Sequence, residues 1–213
     1  MYSELVTQKK LLIALDHQLA SSSLKLRMTK SKYHTLFLDR DGVINERLPG
    51  DYVSQWSEFQ FTPRALEALA FFATHFQHII VVTNQQGVGK GQMSEVQLAE
   101  IHQKMIEEIA AAGGRIDAVY HCPDLSSVPN NCRKPAPSMA LKAQADFPAI
   151  DFQTSIMVGD SVSDLEFGQN LGIHTVLIEG KSDELDKLKH AIANGLQVHL
   201  RFASLWEFAA FLS

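Results

Sequence analysis

Cysteine is scarce in this chain. There are two in 213 residues, Cys122 and Cys132, and a pair does not suggest a disulfide scaffold. Long apolar runs are missing too. No stretch approaches the roughly 20 residues that a membrane span needs. Leu11–Leu15, interrupted by Asp16, is too short for the core of a signal peptide. These absences imply a cytoplasmic location and no membrane partner. Basic charge is also short: 19 Lys+Arg against 24 Asp+Glu leave a formal net charge of -5. A nucleic-acid binder working through bulk charge is therefore not expected. Internal repeats and low-complexity tracts are absent as well. What remains, 46% hydrophobic and 20% charged, is ordinary globular composition, enough for one α/β domain with a sizeable core.

Residues 1–30 stand apart as an N-terminal extension. Leu5, Leu12, Leu15 and Leu19 follow a helical rhythm, and Ser21-Ser22-Ser23 breaks it. This segment reads either as an extension or unused upstream start, or as a packing or dimerising helix. From residue 31 to 213 the pattern alternates. Short β-branched runs are expected as strands at 34–39, 79–83, 118–121, 155–158, 174–178 and 197–201. Helices are expected between and after them. Thr62-Pro63 reads as an N-cap followed by proline at the first helical position, opening a helix over 63–76. Ser94-x-x-Gln97 reads as a capping box for a helix to about 112, stopped by Gly113-Gly114. Further helices are expected at 137–147, 161–171, 183–193 and 204–212. Such alternation implies a doubly wound, mostly parallel α/β sheet.

The strand ends hold the chemistry. Residues 35–45 read TLFLDRDGVIN: a buried parallel strand that runs into Asp39 and Asp41, with Gly42 for the sharp exit. Two carboxylates this close favour a bound cation or a shared proton. The second strand ends in Thr83-Asn84-Gln85, Arg133-Lys134-Pro135 follows the third, and the fourth runs into Gly159-Asp160, with Asp164 four residues on. All converge at the carboxyl edge of one sheet, where open α/β folds bind ligands. A nucleophilic carboxylate, a hydroxyl, a cation and a metal-binding carboxylate are what phosphoryl transfer needs. GVGKG at 87–91 lacks the Ser or Thr after Lys that a nucleotide-binding loop requires.

The segments FLDRDGVIN (37–45), VVTNQQGVGKG (81–91), CRKPAP (132–137) and MVGDSVSDLEFGQNLGI (157–173) resemble the four motifs of the haloacid dehalogenase superfamily of phosphatases. Within it, the chain is similar to the subgroup of heptose bisphosphate and histidinol-phosphate phosphatases, and polynucleotide 3′-phosphatases share much of the pattern. The resemblance implies a Rossmann-like core and a Mg²⁺-dependent phosphomonoester hydrolase. Its implied nucleophile is Asp39, its acid and base Asp41. Mg²⁺ would sit on Asp39, the backbone carbonyl of Asp41, and Asp160. Thr83 and Lys134 would hold the phosphoryl oxygens, and Asn84 would donate near them. Asp164 would orient Lys134 or metal-bound water. Arg133 would reach a second anionic or hydroxyl group, with Asn45, Gln85 and Ser161 as weaker substrate contacts.

The chain departs from the subgroup in two places. Heptose bisphosphate phosphatases resembling it carry a zinc loop with Cys-x-His and Cys-x-Cys pairs. Here the candidates reduce to Cys122, Asp124 and Cys132, a poor set for structural zinc, so the expectation is a loop held by packing and hydrogen bonds. His121 is a remaining substitute. Ser161 also stands where those enzymes carry a lysine, which weakens the case for a second phosphate. The insert at 43–61 is short, so no large cap domain is expected. The expected substrate is a small phosphorylated sugar, foremost a heptose 1,7-bisphosphate. Histidinol phosphate and 3′-phosphorylated nucleic-acid ends are the enzymatic alternatives. A catalytically silent phosphate-binding module is the non-enzymatic one.

Overall fold

The computed structural model describes residues 33–48, 50–180 and 185–213. The proposed extension over 1–30 therefore lies outside the described residues. Among the described residues six strands form one sheet: β1 (Thr35–Leu38), β2 (His78–Asn84), β3 (Ala118–Cys122), β4 (Ser155–Gly159), β5 (His174–Ile178) and β6 (Leu200–Phe202). The order is β3-β2-β1-β4-β5-β6, and every pairing is parallel. Among the described residues seven α-helices connect or follow them: α1 (Ala65–Ala73), α2 (Gln86–Gly89), α3 (Glu95–Ala111), α4 (Ser138–Asp146), α5 (Val162–Leu171), α6 (Leu185–Ala193) and α7 (Leu205–Leu212). No helix among the described residues is long and apolar enough to cross a membrane. Among the described residues no insertion builds a separate cap domain.

The core follows from the two-residue period of the strands. Leu36, Leu38, Ile79, Val81, Ile156 and Val158 point to one face, against residues of α1, α3 and α7. Phe37, Ile80, Val82 and Met157 point to the other, against Met139, Ala140, Ala143 and Phe167. Both faces of the central strands are covered, which is why these strands read as unbroken apolar runs.

The helix starts show one success and one correction. Ser94 accepts a bond from Gln97 N–H while Gln97 bonds back to Ser94 N–H, a complete capping box at the start of α3. Thr62 does not cap α1. Its hydroxyl donates to the Val43 carbonyl at 2.8 Å, tying the loop after β1 to the helix entry. The cap position falls to Arg64 in the left-handed region (φ 60°), and the helix begins two residues later than the proline suggested. Local propensity lost here to a long-range bond that needed the same hydroxyl.

Candidate active site

The strand order reverses direction between β1 and β4, and that switch point positions the site. Leu38 lies beside Val158, and Asp39 N–H donates to Val158 C=O at 2.9 Å. Asp39 and Asp160, each the first residue beyond its strand, are thereby fixed side by side. Gly42 lets the chain leave β1 at φ 94°. A Cβ on it would lie 2.2 Å from Asp160 Oδ2, so only glycine leaves that carboxylate its place.

Lys134 reaches in from the loop after β3. Its ammonium stands 2.8 Å from Asp39 Oδ1 and 2.5 Å from Asp164 Oδ1, and it donates to Val82 C=O at 2.7 Å. Burial pulls the Lys134 pKa down, but Asp164 and Asp39 outweigh it and hold the amine charged. Burial pushes Asp39 up to about 6, against the pull of Lys134 and with further repulsion from Asp164. Oxygens of Asp39, Asp160 and Asp164 lie within 4.8 Å of one another. Arg47 approaches Asp160 Oδ2 at 3.8 Å. A buried cluster of hard carboxylate oxygens at a glycine-cleared edge fits a small divalent cation such as Mg²⁺.

Asp41 is held by donors on both oxygens. Arg40 Nη2 donates to Oδ1 at 2.8 Å and to Oδ2 at 3.0 Å, with Arg40 Nε at 3.2 Å from Oδ1. Asn45 donates to Oδ1 at 2.9 Å and Gln85 to Oδ2 at 2.8 Å. Burial raises the carboxyl, but the Arg40 charge and these bonds together bring it below the ordinary carboxylate range.

The structure brings Asp39, Asp41, Thr83, Asn84, Arg133, Lys134, Asp160, Ser161 and Asp164 around one cleft of about 480 Å³. Asp164 steadies Lys134 as expected, while several side chains do more than, or something other than, the sequence suggested. Asn45 and Gln85, read as substrate contacts, are fully buried (0% exposed) and hold Asp41; Gln85 also donates to Thr83 Oγ1 at 2.9 Å. Asn84 clamps the backbone of Lys134, accepting from its N–H at 2.9 Å and donating to its C=O at 3.2 Å. Asp164 accepts from Ser161 N–H and Oγ at 3.1 and 2.5 Å, so one carboxylate steadies Lys134 and caps α5. Arg133 lies at the cleft wall with Nη1 3.3 Å from Asp124 C=O, and burial draws its pKa down.

The cysteine reading needs correction. Cys122 and Cys132 form a disulfide, with Cα atoms 5.6 Å apart. The loop between them doubles back, and Asp124 accepts from Cys132 N–H at 2.9 Å. The two sulfurs are thus bonded to each other, although Cys122, Asp124 and Cys132 do cluster. His121 pairs with Glu95 at 2.9 Å.

Sequence reasoning missed Arg40, Arg47, Tyr52 and Lys187. Arg40 could have been found: a charge placed between two aspartates at the end of a doubly buried strand must itself be buried and must find acceptors. Arg47, Tyr52 and Lys187 line the cleft from loop and helix positions that carry no spacing signal.

Residues 131–204 match the HAD-hydrolase-like family model. A D-glycero-alpha-D-manno-heptose-1,7-bisphosphate 7-phosphatase of Mycobacterium tuberculosis is 41% identical over 179 residues, covering 82% of this chain and 88% of the relative. One from Campylobacter jejuni is 36% identical, over 69% of this chain and 83% of the relative. The crystal structure of D,D-heptose 1,7-bisphosphate phosphatase from B. bronchiseptica, complexed with magnesium and phosphate, superposes with a TM-score of 0.74 at 28% identity, covering 84% of this chain and 97% of that one. The chain belongs to the haloacid dehalogenase superfamily, in the family of the heptose-1,7-bisphosphate 7-phosphatases.

Proposed function

We propose that this protein is a Mg²⁺-dependent phosphomonoester hydrolase that removes the C7 phosphate of D-glycero-D-manno-heptose 1,7-bisphosphate. The observation that carries it is the meeting of Asp39, Asp160 and Lys134 at the β1/β4 switch point, in a chain whose relatives bear that activity. Asp39, Asp160 and the backbone carbonyl of Asp41 would hold Mg²⁺, which would neutralise phosphate oxygens and let an anionic nucleophile approach. An Asp39 oxygen attacks phosphorus as the ester P–O bond breaks, and the departing sugar oxygen takes a proton from Asp41. Asp41 takes up that proton from water as the phosphate dianion arrives, because a second negative charge beside it disfavours the ionised carboxyl. Asp41, now a carboxylate, takes a proton from water as the water oxygen attacks phosphorus. The bond to Asp39 breaks, and inorganic phosphate leaves. Lys134 and Thr83 hold the equatorial oxygens, and Asp164 keeps Lys134 aimed.

The cleft suits a substrate with two phosphates. Arg47, Arg133 and Lys187 all line it, so cationic charge is present without a lysine at position 161. Arg133 supplies the planar fork for the phosphate that stays. The test is phosphate release with Mg²⁺ from heptose 1,7-bisphosphate, histidinol phosphate and a 3′-phosphorylated oligonucleotide, with Asp39→Asn as blank. A clear preference for the heptose bisphosphate is expected. Preference for either other ester would keep the mechanism and reject the substrate.

A further inference from the structure

Arg40 is a fully buried cation (0% exposed) beside the reacting groups. It meets α3, where its Nη1 lies 3.1 Å from His102 Nε2. A guanidinium has donors only. His102 Nε2 must therefore be the acceptor, with the ring neutral and its proton on Nδ1. Burial, then the Arg40 charge, push His102 down to about 3, in accord with that tautomer. The other end of the same planar group grips both oxygens of Asp41. With Asn45 on one oxygen and Gln85 on the other, the plane of the carboxylate is fixed.

We propose that Arg40 and His102 form a positioning device for Asp41. Arg40 orients the carboxylate, and His102 acts only through Arg40 by holding its far end. A buried ion pair adds little to stability over an apolar pair; here it fixes the direction of the lone pairs that give and take the proton. The inference rests on Asp41 being the acid and base of the reaction proposed above.

The test compares His102→Leu, His102→Gln, Arg40→Lys and Asp41→Asn on heptose bisphosphate and on p-nitrophenyl phosphate. The sugar oxygen needs a proton to leave, whereas p-nitrophenolate does not. His102→Leu and Arg40→Lys should lower kcat on the sugar phosphate by roughly 10- to 100-fold, the scale of a misplaced catalytic group, with KM within about 2-fold. On p-nitrophenyl phosphate their first turnover should stay within about 2-fold of the parent. A burst of about one p-nitrophenol per chain should then give way to slow turnover, since water attack on the aspartyl-phosphate still needs Asp41. His102→Gln offers Arg40 an amide oxygen and should restore most of kcat. Burst and steady rates falling together would make the pair mere fold support and overturn the proposal, as would an unchanged kcat in His102→Leu. Turnover surviving in Asp41→Asn would instead remove Asp41 from the mechanism, and the proposal with it.

Discussion

His102 carries a pH signature that can be read in stability. Its pKa sits at about 3 in the fold, from burial first and then the Arg40 charge, against about 6.5 for an unfolded histidine. Below pH 6.5 the unfolded chain binds a proton that the folded one refuses. Stability from this group is therefore complete above pH 6.5 and is lost as pH falls toward 3, by up to about 1.4 kcal/mol per pH unit. Urea unfolding from pH 4 to 8 should show that extra slope in the parent relative to His102→Gln, and parallel profiles would refute it. Gly42 gives a second residue-scale prediction. Its φ of 94° disfavours any side chain, and a Cβ there would lie 2.2 Å from Asp160 Oδ2. Gly42→Ala should displace that carboxylate and cost on the order of 100-fold in kcat, with a matching rise in the Mg²⁺ concentration for half activity. A kcat loss at unchanged Mg²⁺ dependence would mean that Asp160 holds no metal.

At the scale of elements, α3 is the test of local rules. Its capping box is complete, so Ser94→Ala should cost about 1 kcal/mol of stability. Ser94 is exposed and does not line the cleft, so thermal unfolding should shift while kcat stays put. A drop in kcat would mean that α3 transmits its end to His102. The same helix shows what sequence makes legible. Ser94-x-x-Gln97 is a local signal answered locally, and so are the apolar runs of β1, β2 and β4. Each run ends in a polar residue that the parallel register carries to one edge, so Asp39, Thr83 and Asp160 could be placed from the sequence. Thr62 could not, because its hydroxyl serves Val43, 19 positions away. Asn45 and Gln85 look like loop polar residues, and only the folded turn shows them buried behind Asp41. The Cys122–Cys132 bond depends on a loop that doubles back through Asp124, for which neither cysteine gives a pattern. Helix α2 is four residues long, shorter than any periodicity can reveal.

At the scale of the whole molecule, the strand order β3-β2-β1-β4-β5-β6 places β2 and β3 on one side of β1 and the later strands on the other, and so opens a crevice above the β1/β4 pair. Three aspartates from two strands and one helix meet there. Their repulsion is a standing cost of the fold, offset in part by Lys134 and Arg47 and in full only by a bound cation. Metal binding should therefore be visible in global stability as well as in turnover. A ligand at 100 times its Kd adds about 2.7 kcal/mol, or roughly 5–10 °C for a domain of this size. EDTA-treated protein should lose phosphatase activity and unfold at a lower temperature, and Mg²⁺ should restore both, with phosphate adding to the thermal shift only when Mg²⁺ is present. In Asp160→Asn the Mg²⁺-dependent shift should disappear, and the metal-free protein should unfold no lower than the parent, since one of the repelling charges is gone. Activity that survives chelation would mean that turnover needs no metal, a Mg²⁺ shift that persists in Asp160→Asn would place the cation elsewhere on the molecule, and either would leave the β1/β4 crevice without its proposed metal.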